Sequence, residues 1–337
     1  MNEDMNFNRG NNAPEPQQSQ AQFGDPQPAP YITSVPAPKK PNRFLLILRG
    51  LFYPLLYMTV QQTVIFMYMI LKIIAAVTGT MSVNGERPNI SEIINQIYDD
   101  LEGQYIALIV AAALAFVIVL IITKVRKKPL KEEFHLKAID PRVGVLAFIT
   151  GVALNFSVLF VMSFLPQSIL EDYSDNVEYA GSIVIYILAG VICAPIIEEL
   201  IYRNFALARF KSAMPAWLAV MLSAAIFGVA HGNLVQGTYA ALLGAFLALM
   251  FIRTDSIFTG ILVHFGFNSV SIISLVLEET EMTEQTEAVV NLIFFGVMIV
   301  SIVVCVFSII GIFLLTSKNK KMNVPSVPAG GINGEIV

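Results

Sequence analysis

Apolar runs of about twenty residues recur along this chain, and each is long enough to cross the roughly 30 Å hydrocarbon core of a bilayer as a helix. Eight such spans are read, at 51–78, 104–123, 143–165, 181–202, 215–232, 234–252, 257–277 and 289–316. Only helices and closed barrels satisfy their backbone groups in lipid. A barrel needs short segments of alternating polarity, and none are visible. The expected fold class is therefore all-α, a polytopic membrane helix bundle of about eight transmembrane helices. The composition agrees, with 14% charged residues against about 25% in soluble domains.

Outside the spans the chain changes character. Residues 1–42 carry prolines at 14, 16, 26, 28, 30, 36 and 38 among many Gln and Asn. That composition buries too little apolar area to offset its ordering entropy, so a disordered cytoplasmic tail is expected. It has no apolar core segment of the kind a cleavable signal carries. The bundle is expected over 43–317, with a flexible cytoplasmic tail at 318–337.

Charges between the spans sort by side. Lys124, Arg126, Lys127, Lys128 and Lys131 follow the second span, Arg203, Arg209 and Lys211 the fourth, Arg253 the sixth, and Lys318, Lys320 and Lys321 the eighth. The loops between are acidic: Asp99, Asp100 and Glu102; Glu171, Asp172 and Asp175; Glu278, Glu279, Glu281, Glu284 and Glu287. The positive-inside rule then places both termini in the cytoplasm of a multi-pass protein of the cell (plasma) membrane. The bilayer is the first partner implied, and the composition offers no nucleic-acid partner. Cys193 and Cys305 both fall within apolar spans, which suits small buried hydrophobes better than a disulfide.

Against this background a few polar side chains stand where lipid disfavours them. The fourth span contains Glu198 and Glu199. In a straight helix, adjacent residues point about 100° apart while i and i+4 share a face. Glu199 therefore pairs with Arg203 in a structural role, and Glu198 has no local counter-charge. The fifth span ends at His231, and a sharp Gly-assisted turn is expected over 231–237. The seventh carries His264 and Asn268 on one face. Taken singly, each has an ordinary explanation: glutamates at interfacial water, a satisfied histidine, a polar pair gluing two helices. Three such features on three helices are better explained by one shared site.

The chemistry such groups support is amide hydrolysis by activated water. A desolvated carboxylate approaches a useful general base, a neighbouring histidine relays the proton, and further donors stabilise an oxyanion. Cys193 does not suit a nucleophile, because five residues of helix turn it about 140° from Glu198. Two histidines and a glutamate also match a three-ligand zinc set, although no His-Glu-x-x-His helix is present. Two other classes remain open at this level: a proton- or ion-coupled transporter, and a non-catalytic immunity or binding protein. No internal repeat of the inverted-transporter kind is evident.

Glu198-Glu199-x-x-x-Arg203, Phe227-x-x-x-His231 and His264-x-x-x-Asn268, in that order on separate spans, resemble the motifs of the CAAX-protease and bacteriocin-processing (Abi) family. This is the family of the Ras-converting prenyl endopeptidase, and the likeness covers about residues 140–277. The resemblance implies an intramembrane endopeptidase whose eight-span bundle opens a cavity to the cytoplasm. It implies that Glu198 with His231 activates water, and that His264 and Asn268 stabilise the oxyanion. Glu199 and Arg203 carry over as supporting residues. It favours a metal-free glutamate mechanism over a zinc one, so no cofactor is expected, and the substrate is a peptide or lipid-anchored protein. Straight helices would leave His231 on the order of 10 Å out of level with Glu198 and His264.

Overall fold

The computed structural model describes residues 42–79, 89–170, 182–278 and 280–322. The tail expected over 1–42 lies almost wholly outside these residues, as do 323–337. Among the described residues the chain is helical, with no strand. The helices are α1 (Arg43–Val77), α2 (Ile90–Asp99), α3 (Leu101–Val125), α4 (Leu130–Glu133), α5 (Pro141–Met162), α6 (Ile183–Ala213), α7 (Ala216–Val229), α8 (Leu234–Thr254), α9 (Ile257–Glu278) and α10 (Glu284–Met322). Each expected span finds its helix, and seven are long and apolar enough to cross a membrane. The exception is α7: its 14 residues rise only about 21 Å.

Local chemistry sets several boundaries. Asn42 caps α1 by accepting from the backbone of Phe44 at 3.0 Å and Leu45 at 3.4 Å, so the helix begins earlier than residue 51. Asp140 caps α5 ahead of Pro141, a proline well placed at the first helical position. Asn233 caps α8 through the backbone of Val235 and Gln236. Just before it, Gly232 takes φ +72°, the left-handed turn expected between the fifth and sixth spans. At the other end α10 continues to Met322.

Two short helices have no counterpart among the expected spans. In α2, Ile93 and Ile97 share one buried face against Tyr68, Met69 and Ala76 of α1. In α4, Glu133 accepts from Arg126 at 3.0 Å and Arg209 at 2.7 Å. The next residues are held as firmly. His135 Nδ1 meets Asn204 Oδ1 at 2.6 Å, and Asn204 donates to the Glu133 carbonyl at 2.7 Å. The segment after α3 is thereby clipped to the end of α6.

Small and hydroxylated residues bring the helices together, as expected where lipid is as apolar as any side chain. Gly151 of α5 lies on the backbone of Val263 and Phe267 in α9, and Gly266 of α9 lies on that of Phe148. Between α5 and α10, Thr150 donates to Ser308 at 2.9 Å and Ser157 meets Ser301 at 3.3 Å. The aromatic core at α6 contains Tyr53, Tyr57, Phe134, Tyr202, Phe205 and Phe227.

α6 is not a regular α-helix. Two stretches, Ile187–Cys193 and Glu199–Leu207, are π-helical, a widening that recurs at functional sites and opens carbonyls to outside donors. Asn268 of α9 donates to Gly190 O at 2.8 Å, and Ser223 of α7 donates to Tyr202 O at 3.1 Å. Every residue from Glu199 to Leu207 is buried.

Candidate active site

The second π-helical stretch begins at Glu199, directly after Glu198. Glu199 is 1% exposed, and its Oε1 lies 3.1 Å from Nη1 of Arg203, itself fully buried. The expected pairing within the first motif is therefore present. Its alignment is poor, because among the described residues no N–H of the guanidinium points along a line to an acceptor. Arg203 instead lies flat over the Phe227 ring, 4.2 Å from its centre.

His264 stands between the two glutamates. Its Nδ1 is 3.2 Å from Glu199 Oε1 and its Nε2 is 3.8 Å from Glu198 Oε2. The imidazole is 4% exposed, and the Glu198 side chain 16%. Glu199 is thus not confined to its arginine: the same oxygen serves His264. Gly260 makes the approach feasible, since a Cβ there would stand 2.5 Å from Glu199 Oε2. Gly260, His264 and Asn268 recur at intervals of four, so one face of α9 carries the gap, the imidazole and the amide.

His231 follows the end of α7. Its Nδ1 lies 2.8 Å from the Phe227 carbonyl, and its ring packs edge-on against Phe227 at 4.9 Å between centres. A second neighbour of that ring is His264, also edge-on, at 5.9 Å. One phenylalanine thus touches both histidines and the arginine, and His231 sits in the turn beyond the short α7. Among the described residues no ion pair joins His231 to Glu198.

Asn268 is half-buried, with an N–H committed to Gly190 O. Its own carbonyl accepts from Ser271 at 2.5 Å, and the Ser271 hydroxyl in turn meets Tyr186. Asn268 therefore ties α9 to the first π-helical stretch of α6 and still has a second amide N–H. Cys193 is a free, half-buried thiol packed on the aromatic cluster, and Cys305 is free and buried. Among the described residues no three His, Cys, Asp or Glu side chains converge as metal ligands.

The sequence reading named Phe227 only as the start of the second motif and gave two further neighbours of this site no part in it. Gly260 stands four residues before His264, so i, i+4 spacing could have found it. Tyr57, buried on α1 and bonded by Gln61 at 3.1 Å, lies within electrostatic reach of Glu198; sequence distance hid it.

No curated protein and no solved structure matches the chain significantly. Residues 180–270 match the family model described as type II CAAX prenyl endopeptidase Rce1-like, a stretch that runs from the start of α6 through Asn268. The family resemblance carried by the three ordered motifs is thereby borne out over residues 180–270, the stretch in which this membrane protein is similar to the Rce1-like endopeptidases.

Proposed function

We propose that this chain is an intramembrane endopeptidase that hydrolyses a peptide bond in a membrane-associated peptide or protein, using water activated by Glu198 and His231. The observation that carries the reading is the assembly of the three motifs around one ring, with the two histidines given unlike partners. His231 Nδ1 faces a backbone carbonyl, which only accepts, so that nitrogen holds the proton. Nε2 of the neutral ring is then an acceptor, suited to share the water's proton with Glu198. His264 Nδ1 faces a carboxylate, which only accepts, so that nitrogen donates to it. In the form of that ring that carries both protons, Nε2–H is a donor suited to a developing oxyanion. The second N–H of Asn268 supplies another.

In this reading Glu198 takes a proton from water as the water oxygen attacks the scissile carbonyl carbon. The carbonyl electrons move onto oxygen, between His264 and Asn268. When the C–N bond breaks, the proton held by Glu198 passes to the departing amine. No metal takes part in these steps. The catalytic core is proposed to span about 140–277 within a bundle of 43–317. The cationic clusters after α3, α6, α8 and α10 support a cell-membrane protein with both termini in the cytoplasm.

The test is Glu198→Gln in full-length protein reconstituted in liposomes. The probe is an internally quenched peptide with a farnesylated cysteine four residues from its C-terminus. A lost general base lowers kcat by about 10²- to 10⁴-fold, with unchanged folding and abundance. Full activity in this variant sinks the proposal, and inhibition by a strong chelator sinks its metal-free form. A gradient-driven flux without cleavage would point to a transporter instead.

A further inference from the structure

We infer that Glu199 is a positioning residue for the proposed hydrolysis: held beside Arg203, it accepts a hydrogen bond from Nδ1–H of His264 and so keeps Nε2 turned toward Glu198. The inference rests on the proteolytic reading and adds to it how one histidine is held ready.

The alternative is an ion pair that merely stabilises α6. Three features of the geometry argue against it. A stabilising Arg–Glu pair is commonly bidentate, two N–H groups on two oxygens. Here a single oxygen makes the 3.1 Å contact, no guanidinium N–H lines up on an acceptor, and Glu199 Oε2 has no hydrogen-bond partner among the described residues. The oxygen that Arg203 does approach is the one His264 approaches, at 3.2 Å. The carboxylate is thus placed for the imidazole at the expense of its arginine.

The second feature is the cavity made for it. At Gly260, one helical turn before His264, any side chain would intrude on Glu199 Oε2. The glycine lets α9 pass close enough for His264 to reach the carboxylate.

The third feature is economy of charge. Buried ion pairs rarely stabilise more than apolar residues of like volume, since desolvation offsets their attraction. Glu199 and Arg203 are each at most 1% exposed, in the most buried stretch of α6. Arg203 also lies on Phe227, whose ring packs against both His231 and His264. One arginine therefore supports both imidazoles, His264 through Glu199 and His231 through Phe227.

The experiment needs a readout that a purely structural role would not move. The chain has three histidines, so ¹⁵N-histidine NMR of the full-length protein in detergent resolves the rings, with His264→Gln assigning the signal. The wild type is expected to show His264 with Nδ1 protonated and fixed. In Glu199→Gln that signature gives way to averaging between the ring nitrogens. On the farnesylated probe, kcat falls roughly 10²- to 10⁴-fold, as when an orienting carboxylate is removed from a catalytic imidazole, while KM stays within about threefold. Glu199→Asp restores part of kcat. An unchanged Nδ1 signature in Glu199→Gln overturns the inference, as does an unchanged signature in Glu199→Asp where the Gln form does not accumulate. Full activity in Glu198→Gln with an altered signature in Glu199→Gln would refute the proteolytic reading alone. An inactive Glu198→Gln beside a Glu199→Gln of wild-type kcat would refute this inference alone.

Discussion

Replacing Gly260 by alanine adds one methyl group where the site has no room for it. The new Cβ would stand 2.5 Å from Glu199 Oε2, against an ordinary contact of 3.4 Å or more. Carboxylate and helix must therefore part by about 0.9 Å. His264 is on the helix that carries the methyl, so the movement draws Glu199 Oε1 away from Nδ1. A contact of 3.2 Å then lengthens toward roughly 4 Å, beyond hydrogen-bond range. Overpacking of this kind destabilises by about 1–3 kcal/mol, whereas a catalytic group misplaced by 1 Å loses about 10² in rate. The expected signature is a kcat reduced about 100-fold on the farnesylated probe, with only a modest fall in melting temperature in detergent. Gly296→Ala is the control, because nothing lies within 4 Å of a Cβ there; it should match the wild type in both measures. Wild-type kcat in Gly260→Ala would refute the claim that Glu199 and α9 fit together this closely.

Asn268→Ala removes the donor to Gly190 O and the remaining amide N–H together. It is expected to lower the melting temperature, consistent with about 1–3 kcal/mol for a carbonyl left unpaired, and to lower kcat by a further 10²- to 10³-fold as one oxyanion donor is lost. A variant that loses stability but keeps kcat would assign Asn268 to architecture alone. Orientation is checked by single cysteines at Lys128 and Glu281 in a chain with Cys193 and Cys305 replaced by alanine. A membrane-impermeant maleimide applied outside intact cells should label Glu281→Cys and spare Lys128→Cys, and the opposite pattern would invert the proposed topology.

The transmembrane helices were legible because lipid leaves the backbone one solution per apolar run. What escaped notice was short and held by tertiary contacts. α2 is ten residues whose register depends on Ile93 and Ile97 meeting α1, and α4 is a single turn fixed by two arginines on Glu133. Isolated helices of that length are marginal in water, so neither leaves a strong local pattern. The length of α7 was misjudged for a related reason. Its apolar run continues through Ala230, but Gly232 and the cap at Asn233 close the helix before the run would have reached full span.

The site was legible as a set of residue types and not as a set of partners. Intramembrane polarity singled out Glu198, His231, His264 and Asn268, and i, i+4 spacing paired Glu199 with Arg203. Those arguments assume a regular α-helix, and α6 departs from one on both sides of the glutamates. A π turn changes which neighbours share a face and offers carbonyls to other helices, so a rule based on 100° per residue cannot decide whom Glu199 meets across the bundle. Asn268 illustrates the same point. On α9 it reads as a free amide one turn beyond His264, yet the widened turn at Gly190 claims one of its protons. The polar residues of this bundle thus serve two needs at once. They satisfy a backbone that α6 leaves irregular, and in the proposed reaction what remains of their hydrogen-bonding capacity serves the attacking water and the oxyanion.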